Sequence, residues 1–436
     1  MALYTNRVCY ESFKESWTYG RGVLISDIVN TNYTKSGIQI CSATSGGMNG
    51  IKHIVPFLYT SPIDVMKVED KEAALYLHLL FALEESSLMY ISGVFISNVL
   101  DFFRVLEDKY KLLVRDIRKG RINNKIDIDE KTRTSLNKLL FPNASRADKL
   151  EKEFNKGFKV IAKRIWPRLL FIETVTGANF SIYDDKVNYY TDSFPIYSPS
   201  YASTEAMIGI NPYINKIRYV IIPDTAFYEF IPIEKKENSK NKTLNLDELE
   251  IGKKYEIVIT NYAGLYRYRM GDVVKVVGYY NNCPEVEFMY RKNLLLNMVS
   301  EKTNEEHLTA AIRGTMKKLN INLVDYTTEP DNSITPGRYI FYFEFKDKIT
   351  KNQIKLIEKT LDKELRKANL AYDRARNNKK LSMVKIVMLL PNTFNIIKES
   401  LLKKGISKNQ IKVPRVILNN QNIKKVISCN CQYKDK

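Results

Sequence analysis

The sequence predicts an α/β protein, with a large mixed domain followed by a smaller α/β domain. Three observations lead there. Segments with apolar residues at helical spacing alternate with short apolar runs, the pattern of a sheet covered by helices. Several of those runs end in loops of glycine, hydroxyl and carboxylate residues, where such sheets bind ligands. The length of 436 residues is enough for two or three domains with sizeable cores.

Composition narrows the class. A hydrophobic content of 44% with 14 prolines is that of an ordinary globular chain, not a disordered one. No apolar run reaches membrane-spanning length: Leu88 to Phe103 comes nearest, and Ser92, Gly93, Ser97, Asn98 and Asp101 break it. The first residues carry charge and apolar groups in the wrong order for a signal peptide. Five cysteines, Cys9, Cys41, Cys283, Cys429 and Cys431, are odd in number and irregular in spacing, which points to a reducing cytoplasmic setting. Cys429 and Cys431 have no second pair to complete a metal site, and His53, His78 and His307 adjoin no Cys or Ser motif. Zinc sites and histidine triads are therefore not expected. The net charge of +19 would suit a nucleic-acid binder. The lysines are scattered, however, and no stacking platform or recognised nucleic-acid motif accompanies them, so a compositional bias is the better reading. The expected partners include neither nucleic acid nor membrane; the oligomeric state is left open.

Taken in order, residues 10–30 hold a short helical pattern and then a strand, Val23–Ile28. Cys41–Lys52 reads as a flexible surface turn; the other reading is a cradle of backbone amides for phosphate, without the ending of a Walker loop. Residues 69–85 and 94–119 are helices. In the second, Ile96, Leu100, Phe103, Leu106, Tyr110, Leu113 and Ile117 form one apolar face, and Arg118-Lys119-Gly120 ends it. A polar loop, 121–129, precedes a single helix over 145–164, begun by Ser145 and closed at Trp166-Pro167. Leu169–Val175 is a buried strand ending in Thr176-Gly177-Ala178-Asn179. Pro195–Tyr201 leads into Ala202-Ser203-Thr204-Glu205, and Ile217–Ile222 and Phe227–Ile231 are further strands. Glu234–Lys242 is a charged, solvated loop.

A strand Tyr255–Thr260 then enters Tyr262–Asp272, and a strand Val273–Val277 leaves it. Gly271 is expected to permit a tight turn, with the Asp272 carboxylate presented at its end. That carboxylate either accepts hydrogen bonds from a pair of hydroxyls, such as those of a ribose, or satisfies turn amides. After a junction at Leu294–Lys302, helices 304–319 and 350–369 flank a strand Arg338–Glu344. A strand Val384–Leu390 precedes a helix Thr393–Lys404 stopped by Gly405. The expected division is a large domain at 1–297, a hinge at 298–302 and a small domain at 303–436.

The run Tyr262-Ala-Gly-Leu-Tyr-Arg-Tyr-Arg-Met-Gly-Asp-Val-Val274 closely resembles a signature of the auxin-responsive Gretchen Hagen-type acyl acid amido synthetases, members of the acyl-adenylating, firefly-luciferase-like superfamily. The resemblance continues through Gly278–Leu296 and Glu301–Glu305, and covers the chain from about Tyr10 onward. Glu173–Phe180 resembles the loop before the nucleotide pocket, and Tyr201–Glu205 the family's Tyr-Ala-Ser-Ser-Glu motif. Arg291-Lys292 resembles the pair before the hinge, and Asn409–Arg415 the lysine motif of the small domain.

The resemblance implies an adenylate-forming large domain with a lid, and a pocket between them. ATP and a small carboxylic acid give an acyl-adenylate, which an amine, usually an amino acid, converts to an amide without any protein nucleophile. ATP and Mg²⁺ are the implied cofactors. Tyr201 would stack on adenine, with Thr176, Gly177 and Ala178 along its edge. Ser203 and Thr204 would bond phosphate or acyl oxygens, and Glu205 would hold Mg²⁺. Asp272 and Arg291 would fix the ribose, and Lys412 would neutralise charge at the α-phosphate. Each has a plainer alternative: Tyr201 as a core aromatic, Glu205 as a helix N-terminal charge, Lys412 as a surface lysine.

One departure stands out. The family's phosphate loop has no convincing counterpart, because Phe57–Pro62 follows Thr44–Gly47 too soon and Val23–Asp27 resembles a strand downstream of that loop. The expectation is a large domain incomplete at its amino terminus, with little or no acid-dependent pyrophosphate exchange. The second reading is a non-catalytic relative that binds a small acid, nucleotide or partner.

Overall fold

Lys71–Glu84 is apolar on nearly every side, and such a helix must lie inside a fold. It does so in the computed structural model, which describes residues 2–18, 20–28, 32–177, 183–233, 243–292, 296, 298–299, 301–402, 411–417 and 420–432. The chain forms two compact units. One comprises Met1–Ala202 and Ile208–Val220; the other comprises Ser203–Met207, Ile221–Leu402 and Ile411–Lys436.

In the first unit the order is α1 (Ala2–Ser12), α2 (Lys14–Thr18), β1 (Gly22–Ile25), β2 (Asn32–Tyr33), β3 (Gln39–Ile40), α3 (Ala43–Ile51), α4 (Val55–Leu58), α5 (Lys71–Glu84), β4 (Tyr90–Phe95) and α6 (Ile96–Lys119). There follow α7 (Glu130–Asn137), α8 (Ala144–Phe154), α9 (Ile161–Ile165), β5 (Phe171–Val175), α10 (Asp184–Thr191), β6 (Ile196–Tyr197), β7 (Ser200–Ala202), β8 (Met207–Ile210) and β9 (Tyr219–Ile221). Strands β1, β4, β5 and β6 form a parallel sheet in the order β1-β4-β5-β6. Its register aligns Val23, Ile91, Ile172 and Ile196, the first three of them fully buried. A parallel sheet covered on both faces needs such apolar strands. Helix α6 buries the predicted stripe, including Ile96, Leu100, Phe103, Leu106, Leu113 and Ile117, and ends at Gly120 in the left-handed region, φ 58°. Trp166 packs beside Phe102 and donates its indole N–H to the Ala82 carbonyl at 2.8 Å.

The structure corrects the sequence reading at three places in these segments. The single helix over 145–164 is two helices, α8 and α9. Asn143, not Ser145, caps the first, and Gly157 and Val160 at positive φ separate them. Cys41–Lys52 is neither turn nor phosphate cradle but helix α3. Ser42 caps it by accepting from the Ser45 amide at 3.2 Å, and Met48 is buried against Val55 and Met66. Cap and burial outweigh the low helix propensity of its glycines. His78 adjoins no serine in the sequence, yet its Nδ1 lies 2.7 Å from Ser61 Oγ and its Nε2 lies 3.2 Å from the Ser26 carbonyl. A carbonyl only accepts, so Nε2 carries the proton and Ser61 donates to Nδ1. Ser61 is fully buried and His78 nearly so, which makes the pair a structural tie and not a nucleophile.

In the second unit β10 (Phe227–Pro232), β11 (Lys254–Thr260), β12 (Tyr268–Tyr280) and β13 (Cys283–Arg291) pair antiparallel in chain order. Then come α11 (Glu305–Leu319), β14 (Leu323–Asp331), β15 (Arg338–Phe345), α12 (Lys351–Ala368), α13 (Leu370–Asn377), β16 (Lys385–Met388), α14 (Thr393–Ser400) and α15 (Gln421–Cys429). Strand β15 is the centre of a three-stranded sheet, antiparallel to β14 and parallel to β16. Tyr342, Leu389, Phe394, Ile397, Val413, Ile417, Ile423 and Ile427 close one core.

Here the turn expected at Gly271 lies elsewhere. The chain reverses at Asn261–Leu265, and Gly271 and Asp272 are inside β12. Gly271, at φ 82°, sits in a bulge, where the register passes from Glu256↔Val273 to Val258↔Arg269. In the junction, the Glu301 carboxylate accepts from the amides of Met298 and Val299 at 2.8 and 2.7 Å, and Tyr339 also donates to it. The loop read at Glu234–Lys242 and the stop at Gly405 lie outside the described residues. Among the described residues no helix is long and apolar enough to cross a membrane.

Candidate functional site

Strand pairing builds the centre of the site. The β12–β13 register sets Asp272 opposite Arg291, and Arg291 Nε donates to Asp272 Oδ1 at 2.6 Å. The Asp272 side chain is only 3% exposed and that of Arg291 45%, so the carboxylate is the buried member and the guanidinium its link to solvent. The expectation of a carboxylate projecting from a turn is therefore corrected: the bulge turns Asp272 inward, onto an arginine.

A second carboxylate in the same sheet repeats the arrangement. Glu256 accepts from Arg269 Nε and Nη2 at 2.9 and 2.6 Å and from Lys292 Nζ at 2.7 Å. Burial pushes Glu256 up, but hydrogen bonds from Arg269 and Lys292 outweigh it and hold the carboxyl below its usual range. Sequence reasoning missed Glu256 and Arg269 as a pair. The signal was an acid within the otherwise apolar Tyr255-Glu-Ile-Val-Ile, which burial forces to find a cation.

Lys412 belongs to the same unit and falls in the field of Asp272 and Arg291. Burial of its ammonium, then Arg291, lower its pKa; Asp272 and Glu305 pull the other way. The residue nevertheless keeps exposed surface. Glu305, the first residue of α11 and buried, was not singled out from the sequence. Asp272 and Arg291 are thus in contact, and Lys412 and Glu305, from segments far apart in the chain, share their electrostatic field.

Ser203–Ala206 forms a tight turn. The Ser203 amide donates to the Ala206 carbonyl at 2.9 Å, and the Ala206 amide donates to Ser203 Oγ at 3.2 Å. Thr204 is exposed and Glu205 half-buried, and the Glu205 carbonyl accepts from Asn261 Nδ2 at 2.7 Å. Glu205 is not on a helix, which removes the helix N-terminal alternative. No cluster of three or more metal-ligating His, Cys, Asp or Glu exists among the described residues. Glu205 and Thr204, neighbours in this turn, carry oxygen donors only. Such donors fit Mg²⁺, which keeps several waters and takes one or two carboxylates plus substrate phosphates.

In the first unit, Thr176 follows β5 and donates its hydroxyl to Asp184 Oδ1 at 2.7 Å. Gly177 has φ 88°, and a Cβ there would lie 2.8 Å from Ile217 Cδ1. Gly177→Ala should destabilise the protein by about 1–2 kcal/mol, the cost of a left-handed alanine. Urea unfolding would measure it, and an unchanged midpoint would show that the loop can turn without glycine. Ala178 lies outside the described residues. Tyr201, on β7, is half-buried, and its ring lies 5.7 Å from that of Tyr219, tilted by 47°.

Residues 1–196 match the GH3 family N-terminal domain, residues 219–291 its central domain and residues 306–421 its C-terminal domain. The chain is 32% identical over 397 residues to indole-3-acetic acid-amido synthetase GH3.17 of Arabidopsis thaliana, covering 83% of this chain and 65% of that protein. It is 32% identical over 448 residues to the probable indole-3-acetic acid-amido synthetase GH3.11 of Oryza sativa subsp. japonica, covering 94% of this chain and 75% of the relative. Against 4-substituted benzoates-glutamate ligase GH3.12 of Arabidopsis thaliana the identity is 31%, with the same two coverages. The chain thus spans between 65% and 75% of the length of these relatives. A solved GH3.15 acyl acid amido synthetase superposes with a TM-score of 0.85 at 26% identity, covering 98% of this chain and 78% of that one. As the Tyr262–Asp272 signature implied, the chain belongs to the GH3 family.

Proposed function

We propose that this chain is an ATP-dependent acid–amine ligase. It joins a small carboxylic acid to AMP with release of pyrophosphate, then passes the acyl group to an amine, an amino acid first among them. The observation that carries the reading is the buried Asp272 carboxylate paired with the solvent-facing Arg291, with Lys412 in their field. The names of the relatives favour a ligase over a non-catalytic binding protein.

The chemistry needs no protein nucleophile. The acid's carboxylate oxygen attacks the α-phosphorus, pyrophosphate leaves, and the amine nitrogen then attacks the acyl carbon and expels AMP. The protein's part is to orient the reactants and stabilise developing charge. Asp272, which accepts from Arg291, is the acceptor for a ribose hydroxyl. Lys412 offsets charge at the α-phosphate. Glu205 holds Mg²⁺, which when bound neutralises phosphate charge, and Thr204 and Ser203 offer hydroxyls to phosphate or acyl oxygens. Toward the base, Tyr201 offers its ring and Thr176 and Gly177 their backbone. Residues 303–436 act as the lid, with the pivot at 298–302. The enzyme works in the cytoplasm, a placement supported by five free cysteines.

The test supplies an acyl-adenylate and an amino acid and measures amide. No amide with any of a panel of aromatic and aliphatic acyl-adenylates would sink the reading. Asp272→Ala should weaken binding of a non-hydrolysable acyl-adenylate analogue at least ~10-fold, because a hydrogen bond to a charged group is worth ~1.5–3 kcal/mol. Calorimetry reads the change, and equal affinity in a folded variant would remove the ribose role.

A further inference from the structure

We propose that the buried Arg415–Asp325 ion pair holds Lys412 in its place beside Asp272 and Arg291, which makes Arg415 and Asp325 positioning residues. The inference rests on the reading of Lys412 given above.

The lysine is on no helix or strand of its own. It precedes Val413-Pro414-Arg415-Val416-Ile417, and that stretch runs beside β14, joined to it by a parallel bridge between Val416 and Thr328. The Thr328 amide donates to the Arg415 carbonyl at 2.9 Å, and the Ile417 amide donates to the Thr328 carbonyl at 2.7 Å. Thr327 Oγ1 donates to the Pro414 carbonyl at 2.6 Å. Val413 is buried in the core of the small sheet.

Arg415 secures this strand from inside. Its guanidinium donates to Asp325 Oδ1 and, at 2.8 Å, to the Tyr326 carbonyl, and it lies 4.6 Å from the centre of the Tyr326 ring. The two side chains are only 6% and 5% exposed. β14 carries a register shift between Leu323 and Asp325, and the Tyr326 amide donates to Asp325 Oδ1 at 2.9 Å, so a bulge aims the acid at the arginine. Burial pushes Asp325 up, but Arg415 and then Lys398 hold its carboxyl below the usual range, so the pair stays charged. A buried pair of this kind is weak evidence for stability, and apolar residues could fill the space as well. Its distinctive effect is register: with the guanidinium fixed at three points, the backbone at Pro414 cannot slide along β14. Lys412, two residues before Pro414, is thereby held within the field of Asp272, Arg291 and Glu305.

The test uses the whole chain with Arg415→Met, which keeps the stem and removes the charge. Every lysine is acetylated with acetic anhydride across a pH series, and each site is read by mass spectrometry. Lys412 should label with a midpoint below that of ordinary lysines. In Arg415→Met that midpoint should move up to the ordinary range while the other lysines keep theirs, and amide exchange at Val413, Val416 and Ile417 should quicken. Unchanged labelling and exchange would overturn the proposal. Should Arg415→Met not fold, Thr327→Val removes one tie to Pro414, and the same shift, smaller in size, decides the matter. In adenylation assays Arg415→Met should cost about 10-fold, within the coupling usual for interacting residues, but nothing further on a Lys412→Ala background. Equal losses on both backgrounds would make Arg415 merely structural. Full adenylation by Lys412→Ala would sink the reading of Lys412 itself, an outcome distinct from the labelling result.

Discussion

Lys412→Ala should slow acid-dependent adenylation about 100-fold, the loss usual when one preorganised charge-stabilising donor is removed. The acid's carboxylate and the α-phosphate are both negative, and charge on the phosphorus oxygens rises as the new bond forms. An ammonium in the field of Asp272, Arg291 and Glu305 can meet that charge. Amide formation from supplied acyl-adenylate should fall much less, since no new charge then builds at phosphorus. Pyrophosphate exchange and single-turnover amide formation separate the two steps. Equal losses in both would make Lys412 structural.

Acid should weaken the protein through His78. Burial lowers its pKa from 6.5 to about 4, while the Ser26 carbonyl acts weakly the other way. Below pH 6.5 the unfolded chain takes up a proton that the folded chain refuses until about pH 4. Stability from this residue is thus complete above pH 6.5 and lost as pH falls through that window. The shift corresponds to roughly 3 kcal/mol between pH 7 and pH 4. His78→Gln can keep both hydrogen bonds but does not titrate. Urea unfolding at the two pH values should show a smaller acid loss in the variant by about that amount. The same acid loss in both proteins would mean that His78 accepts its proton in the folded state.

Most of the fold was legible because its elements bury apolar faces with local periodicity. Helices α5, α6, α11 and α12 and strands β5, β9, β10 and β15 fall within a few residues of their expected places. The misses share one physical cause. Strand β14 carries Asp325, Glu329, Pro330 and Asp331, which hide a strand pattern until β15 pairs with it. Helix α3 is rich in glycine and needs a distant core to form. Helix α7 is polar, and apart from Leu136 it buries only Arg133, whose guanidinium donates to the carbonyls of Asn123 and Ile126.

The site divides along the same line. By itself the sequence determined the family, through the contiguous Tyr262–Asp272 signature, and with it the residue types the chemistry needs. It also determined the order of the main elements, since periodicity and caps are properties of neighbouring residues. Only the tertiary structure decided that Asp272 is a buried partner of Arg291 and not a free carboxylate at a turn. It alone decided that Glu256 joins Arg269 and Lys292, that His78 meets Ser61, and that Arg415 is buried against Asp325 of β14. Each of these is a polar group removed from water, and its partner is set by which strands and helices lie side by side, which no local pattern encodes.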